Sequence, residues 1–382
     1  MKQVVSKTQL EVAVKHLCRV INTKNSLPIL GDILCDVNAD EKTLTMTASD
    51  SEIWLRYKVA LDTAEGSGRY CVPATKLADA LGDLNEEPLT IEVETDGEMK
   101  FTLQFATGEI HFPCESADEY PDAPEEERIS ELWIEPRELA TAINVTIWSS
   151  ANDELRPQMA GVYFNFMKDK ADAVASDGHT LMKYSIPNNY GVEGAFIMPR
   201  KVAKILPPML NMDESEGVGM QWNDQTGHIE QEDWSLDFRL IEGRYPNYDS
   251  VIPHDQPLWI NVSRTGLMSS LKKVSPFTTN SSNLVRATFD ANSLQLLAED
   301  YDFAAGATDR MAASSNIEQP ISVGFKAASL IAILQKMPSM DVTLHIIDAS
   351  HAVTLTEKHE PGTKKNVAGS VLGLAMPMIL SE

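Results

Sequence analysis

Apolar residues recur along this chain at two spacings. Over residues 9–24, Leu10, Val14, Leu17 and Ile21 fall three or four positions apart, which places them on one face of an α-helix. The stretches 136–146 and 263–274 read the same way, and a second helical pattern covers 73–84, 199–210 and 326–337. Pro73, Pro136 and Pro199 open three of these segments, where a missing N–H costs nothing. Alternation at period two fills much of the rest: Met99, Phe101, Leu103 and Phe105; Trp234, Leu236, Phe238 and Leu240; Val342, Leu344 and Ile346. Asp96-Gly97 suits a hairpin turn. Long strand runs with paired helices and no strand–helix–strand alternation predict an α+β fold with antiparallel sheets rather than a doubly wound one.

The same order occurs three times. Leu132-Trp133-Ile134 and Leu258-Trp259-Ile260 stand 126 residues apart, each just ahead of a helical pattern. Ala48-Ser49-Asp50, Ala175-Ser176-Asp177 and Ala298-Glu299-Asp300 recur at intervals of 127 and 123. A period near 125 is a whole domain, not a solenoid repeat. Proline-rich punctuation at Tyr120 to Pro124, and from Tyr245-Pro246 to Pro257, divides the chain into similar domains at 1–127, 128–255 and 256–382, each with two helices on antiparallel sheets.

A chain of 382 residues with 43% hydrophobic and 23% charged residues has the balance of a folded globular protein. No window approaches a membrane span, and the N-terminus lacks the apolar run of a secretory signal, so a cytoplasmic location is expected. The four cysteines are dispersed and read as buried thiols. With 32 basic and 56 acidic residues the net charge is −24, which taken globally argues against nucleic acid. Locally it does not. Over the six helical segments Lys and Arg exceed Asp and Glu by nine, which leaves −33 on the sheets and loops. Gathered on one surface by the repeat, such helices would be a positive face, suited to phosphate, in an acidic body.

Enzyme signatures are weak. No His-x-x-x-His pair occurs, and His359-Glu360 is followed by Pro-Gly-Thr, so neither a metal nor another cofactor is expected. Gly66-Ser67-Gly68 and Gly217-Val218-Gly219 read as turns rather than phosphate cradles. Ser176-Asp177-Gly178-His179 does bring nucleophile, acid and base types together, and a three-domain hydrolase using Asp177 and His179 is one alternative reading. The repeat offers another account, because an Asx-type turn needs an aspartate in every copy and catalysis needs it once.

Leu27-Pro28-Ile29-Leu30-Gly31, Ala175-Ser176-Asp177-Gly178-His179, Pro199-Arg200-Lys201, Glu242-Gly243-Arg244-Tyr245-Pro246-Asn247-Tyr248 and Met376-Pro377-Met378 stand in the order found in the bacterial DNA polymerase III β subunits, the sliding clamps, and the chain resembles that family from Met1 to Leu380. The resemblance implies a head-to-tail homodimer, a ring of six domains whose helices line a hole for duplex DNA, with no reaction of its own. It also implies partners: the polymerase III catalytic subunit, the clamp loader, and other polymerases and repair proteins that insert short motifs containing Gln and Leu or Phe. A clamp-like scaffold that holds only proteins is a further alternative.

Carried over by position, the DNA contacts are Lys24, Arg200 and Lys201, while Lys204, Arg264, Lys272 and Lys273 are added from charge placement. The partner cleft is Met159, Ser176, Gly178, His179, Leu181, Pro246, Val251, Ser350, Leu374, Met376, Pro377 and Met378. Ring closure would bring Ile110 and Phe112 of the first domain to Pro276 and Phe277 of the third. The sequence departs from the family where Thr180 and Ile379 replace common arginines and where Ser381-Glu382 extend the tail.

Overall fold

The computed structural model describes the chain except for residues 23–26, 96, 124–129, 153–154, 188, 214–216, 280, 359–368 and 381–382. Lys24, Asp96, Pro124, Glu125 to Glu127, His359, Glu360, Ser381 and Glu382 therefore lie outside the described residues. Six α-helices occur among the described residues: α1 Lys7–Leu17, α2 Ala74–Gly82, α3 Pro136–Thr146, α4 Arg200–Ile205, α5 Arg264–Val274 and α6 Ala327–Lys336. They match the six expected segments, with two differences. The first helix begins two residues earlier and ends at Leu17, after which Arg19 and Val20 donate to carbonyls only three residues back. α4 stops at Ile205 and gives way to a 3-10 turn, Pro207–Met209: Leu206 keeps helical backbone, but Pro207 brings no N–H to continue the helical hydrogen bonds.

The chain divides into two compact units, Met1–Pro136 with Lys204–Leu240 and Arg137–Ala203 with Ile241–Glu382. The middle repeat is thus shared between them. In the first unit an antiparallel sheet runs from Ser130–Ile134 through Val218–Trp222, Thr226–Gln231 and Trp234–Arg239 to the 13-residue strand Ile53–Glu65. It continues through Lys2–Ser6, Pro88–Glu94 and Lys100–Phe105 to the outer strand Gly108–Pro113. Ile53–Glu65 joins the two halves: Ile53 to Tyr57 pair with Trp234 to Phe238, while Leu61 to Glu65 pair with Lys2 to Val5. α1 and α2 lie side by side, burying Leu10, Val14 and Leu17 from one and Leu77 and Leu81 from the other.

In the second unit a nine-stranded sheet includes Gly161–Phe166, Lys170–Ser176, Thr180–Pro187 and Ser370–Ala375 as successive neighbours. A separate four-stranded sheet ends in the outer strand Ala305–Ala312. α5 and α6 pack together through Leu267, Leu271, Leu330 and Ile333. Gly373 permits α6 to settle on the sheet, since a Cβ there would stand 2.4 Å from the Ile333 Cγ2 atom. Both Trp motifs lie in strands that lead directly into a first helix, Ser130–Ile134 before α3 and Leu258–Ser263 before α5.

Cys35, Cys71 and Cys114 are buried and Cys18 half-buried. Burial pushes the Cys71 thiol up to about 12 and Cys114 up to about 11, so these groups stay protonated and inert at neutral pH.

Candidate partner cleft and nucleic-acid surface

The turn after Lys170–Ser176 begins the cleft. Asp177 Oδ1 accepts the backbone N–H of His179 at 2.9 Å and of Thr180 at 2.6 Å, and Asp50 and Asp300 hold their own turns in the same way. The threefold aspartate is thus an Asx turn in every repeat. In the middle copy Ser176 Oγ also accepts from the Gly178 N–H and donates to the Thr180 carbonyl, and Gly178 takes a φ of +87°. Arg156 Nη1 braces the outside of the turn on the Asp177 carbonyl at 2.9 Å. Thr180 is buried and shares hydrogen bonds with Asp177 and with Ser149 Oγ. It therefore ties the turn down, where an arginine would reach outward.

Residues 370–378 form the adjoining wall. Ser370–Ala375 is a sheet strand paired with Thr180–Ser185, and the next residues dock individually: the Met376 N–H donates to the His179 carbonyl and the Met378 N–H to the Gly324 carbonyl, both at 2.8 Å. The third wall is Tyr245-Pro246-Asn247 with the 3-10 turn Tyr248–Val251. Tyr163 supports it from behind, stacked on Tyr245 at 4.6 Å and edge-on to Tyr248 at 6.0 Å.

Between these walls is a hollow of about 230 Å³. Met159, Ser176, Gly178, His179, Leu181, Pro246, Val251, Leu374 and Met376 line it, together with Thr180, Tyr245, Asn247 and Tyr248, which were not anticipated. The last three lie within the Glu242 to Tyr248 motif, whose aromatic spacing was the available signal. Ser350, Pro377 and Met378 are not among the lining residues: Ser350 sits on the Asp348 turn, and Met378 is drawn off to Gly324. The hollow is apolar, with peptide groups at its rim. That arrangement suits an inserted apolar side chain, and Asp177 Oδ1 is committed to holding the turn. Among the described residues, no cluster of His, Cys, Asp or Glu could hold a metal ion, and no helix is long and apolar enough to cross a membrane.

The helices as observed carry eleven Lys and Arg against three Asp and Glu. Along α5, Arg264, Met268 and Lys272 fall on one face and, with Thr265, Ser269 and Lys273, line a wide shallow hollow of about 490 Å³. Arg264 turns inward to donate to the carbonyls of Ser339 and Leu334, which caps the end of α6. Lys273 pairs with Asp309 at 2.9 Å, whereas Lys272 is exposed. On α4, Arg200 Nη1 donates to the carbonyls of Ser150 and Ala151 and to Asn152, Lys201 is half-buried and Lys204 is exposed. Ile110 and Phe112 lie on the outer strand Gly108–Pro113, with Phe112 stacked on Phe101 at 5.0 Å. Pro276 and Phe277 are exposed on the 3-10 turn Ser275–Phe277.

Comparison with known proteins agrees with this architecture. A family described as "DNA polymerase III beta subunit, N-terminal domain" matches residues 1–124, and "DNA polymerase III beta subunit, central domain" matches residues 133–247. The beta sliding clamp of Synechocystis sp. is 25% identical over 376 residues, covering 93% of this chain and 95% of that protein. The crystal structure of the DNA polymerase III subunit beta from Pseudomonas aeruginosa superposes with a TM-score of 0.90 at 21% identity, and that of the Thermotoga maritima beta subunit with 0.90 at 19%, each covering 100% of both chains. The two matched segments take in more than half of the 382 residues, and the chain belongs to the DNA polymerase III beta subunit family.

Proposed function

We propose that this chain is a DNA sliding clamp: two copies close head to tail around duplex DNA and tether the replicative polymerase and other replication and repair proteins. The observation that carries this reading is the family match over residues 1–124 and 133–247. Each copy supplies three domains, 1–127, 128–255 and 256–382, and the contact between unlike surfaces closes after two copies. Ile110 and Phe112 on one outer strand, and Pro276 and Phe277 on the other side of the joint, are the proposed seam.

The mechanism is topological. A closed ring cannot leave DNA sideways, while contacts to phosphate that ignore sequence leave it free to slide. Lys24, Lys201, Lys204, Lys272 and Lys273 are the proposed phosphate-facing cations. Arg200 and Arg264 belong with them by position, although their guanidinium groups also bond backbone carbonyls. The acidic remainder repels stray nucleic acid and favours the ring interior. The hollow around Leu181, Leu374 and Met376 takes the Leu or Phe of a partner's short motif, whose Gln meets the polar rim.

The reading places the protein in the cytoplasm, on the nucleoid, and gives it no reaction of its own. The hydrolase alternative is not favoured, because Asp177 does in its repeat what Asp50 and Asp300 do in theirs. Light scattering at low micromolar concentration tests the assembly: a mass near twice 42.2 kDa is expected, and a persistent monomer in the presence of DNA would overturn it.

A further inference from the structure

Behind the cleft lies a polar row that peptide insertion does not itself require. Asn165, Asp172 and Ser185 stand abreast on three neighbouring antiparallel strands, in the register Asn165 opposite Asp172 and Asp172 opposite Ser185. The Asp172 side chain has 0% exposure, and a buried carboxylate is costly unless its oxygens are filled. Here they are filled. Ser185 Oγ donates to Oδ1 at 2.5 Å, while Lys170 Nζ at 3.1 Å and the Tyr248 hydroxyl at 2.9 Å donate to Oδ2. Asn165 Nδ2 in turn donates to the Tyr248 hydroxyl at 3.2 Å, so that hydroxyl is fixed from two sides.

Tyr248 is also a wall of the cleft and the first residue of the turn that presents Val251, which is 53% exposed. An apolar row behind a phenylalanine would bury as well, but it would leave the ring free to rock on its edge-on contact with Tyr163. A charge-assisted hydrogen bond has a direction, and it sets where the ring stands.

We propose that Asp172 is a positioning residue for the cleft: by holding the Tyr248 hydroxyl it fixes the ring, and through it the Val251 turn, at the width that distinguishes a leucine from a phenylalanine anchor in a bound peptide. The proposal rests on the reading of the cleft as a peptide site.

The test is a titration of the full-length protein with two fluorescent peptides that share a Gln and end in either Leu or Phe. Asp172→Asn and Tyr248→Phe are each expected to weaken the preferred peptide about tenfold and to bring the Leu-to-Phe affinity ratio toward one. The double variant is expected to lose no more than a further twofold, because both changes break the same link. Unchanged affinities and ratio, or losses that multiply in the double variant, would overturn the role of Asp172. A wild-type protein that binds neither peptide would overturn the peptide-site reading, and the proposal with it. If Asp172→Asn does not fold, Tyr248→Phe decides alone, since it keeps the ring and removes only the hydroxyl; an unchanged ratio there overturns the proposal.

Discussion

The N–H of Met376 donates to the carbonyl oxygen of His179 at 2.8 Å, so the chain's tail and the Asp177 turn are stitched into adjoining walls of one cleft. Because the backbone makes this link, the Met376 side chain, 43% exposed, is left to line the hollow. Met376→Ala should therefore weaken binding of a Gln- and Leu-containing peptide by about tenfold while changing stability by less than about 0.5 kcal/mol. Peptide titration beside thermal unfolding checks both, and unchanged affinity would remove Met376 from the site.

Gly178 is required by conformation as well as by space. At a φ of +87° an L side chain is strained, and a Cβ there would also stand 2.7 Å from Arg156 Nη1. Gly178→Ala should cost about 1 to 2 kcal/mol in denaturant unfolding and weaken the peptide further by displacing the His179 rim. Adding Arg156→Ala relieves the clash but not the strain, so only part of the loss should be recovered.

Asp50 and Asp300 make the same paired turn bonds as Asp177, far along the sequence from the cleft-forming loop. Asp50→Ala and Asp300→Ala should each lower stability by about 1 kcal/mol and leave peptide affinity unchanged, whereas Asp177→Ala should lower both. Equal effects on peptide binding in all three would contradict the specialisation of the middle repeat.

Burial, reinforced by the neighbouring Glu115, raises the Asp32 carboxyl to about 6. A carboxyl raised in the fold opposes folding once it ionises, so the penalty is absent below the unfolded value of 3.8, still small at pH 4, grows up to about 6 and is full above that. Asp32→Asn should accordingly stabilise the protein at pH 8 by about 1 kcal/mol, a figure discounted for a half-exposed group, and change little at pH 4. Thermal unfolding at the two pH values decides it; the opposite pH dependence would contradict the assignment.

The helices were legible because their signals are local. Apolar residues three or four apart marked the segments, proline opened three of them, and α3 matches its expected span. The end of α4 was misjudged because apolar spacing continues through Leu206 and Leu210, while Pro207 ends the helix. The pairing of Ile53–Glu65 with Trp234–Arg239 depends on residues about 180 positions apart, and no local pattern carries it. The Asp177 turn could be read because it recurs. Asp172 could not: in Lys170-Ala171-Asp172-Ala173 a charged residue at every second position reads as a solvated strand face, and only the fold brings Tyr248 down onto it. Pro377 and Met378 were assigned to the cleft from their motif, and the bridge of Met378 to Gly324 is what leads them away from its lining.

Topological retention tests the central claim most directly. The protein is loaded onto nicked circular duplex DNA with a clamp loader, washed at high salt to remove contacts that depend on phosphate alone, and the DNA is then cut once. The account predicts that the protein stays on the circle through the wash and leaves when the DNA is made linear. Loss from the intact circle in the wash, or equal retention before and after cutting, would contradict encirclement.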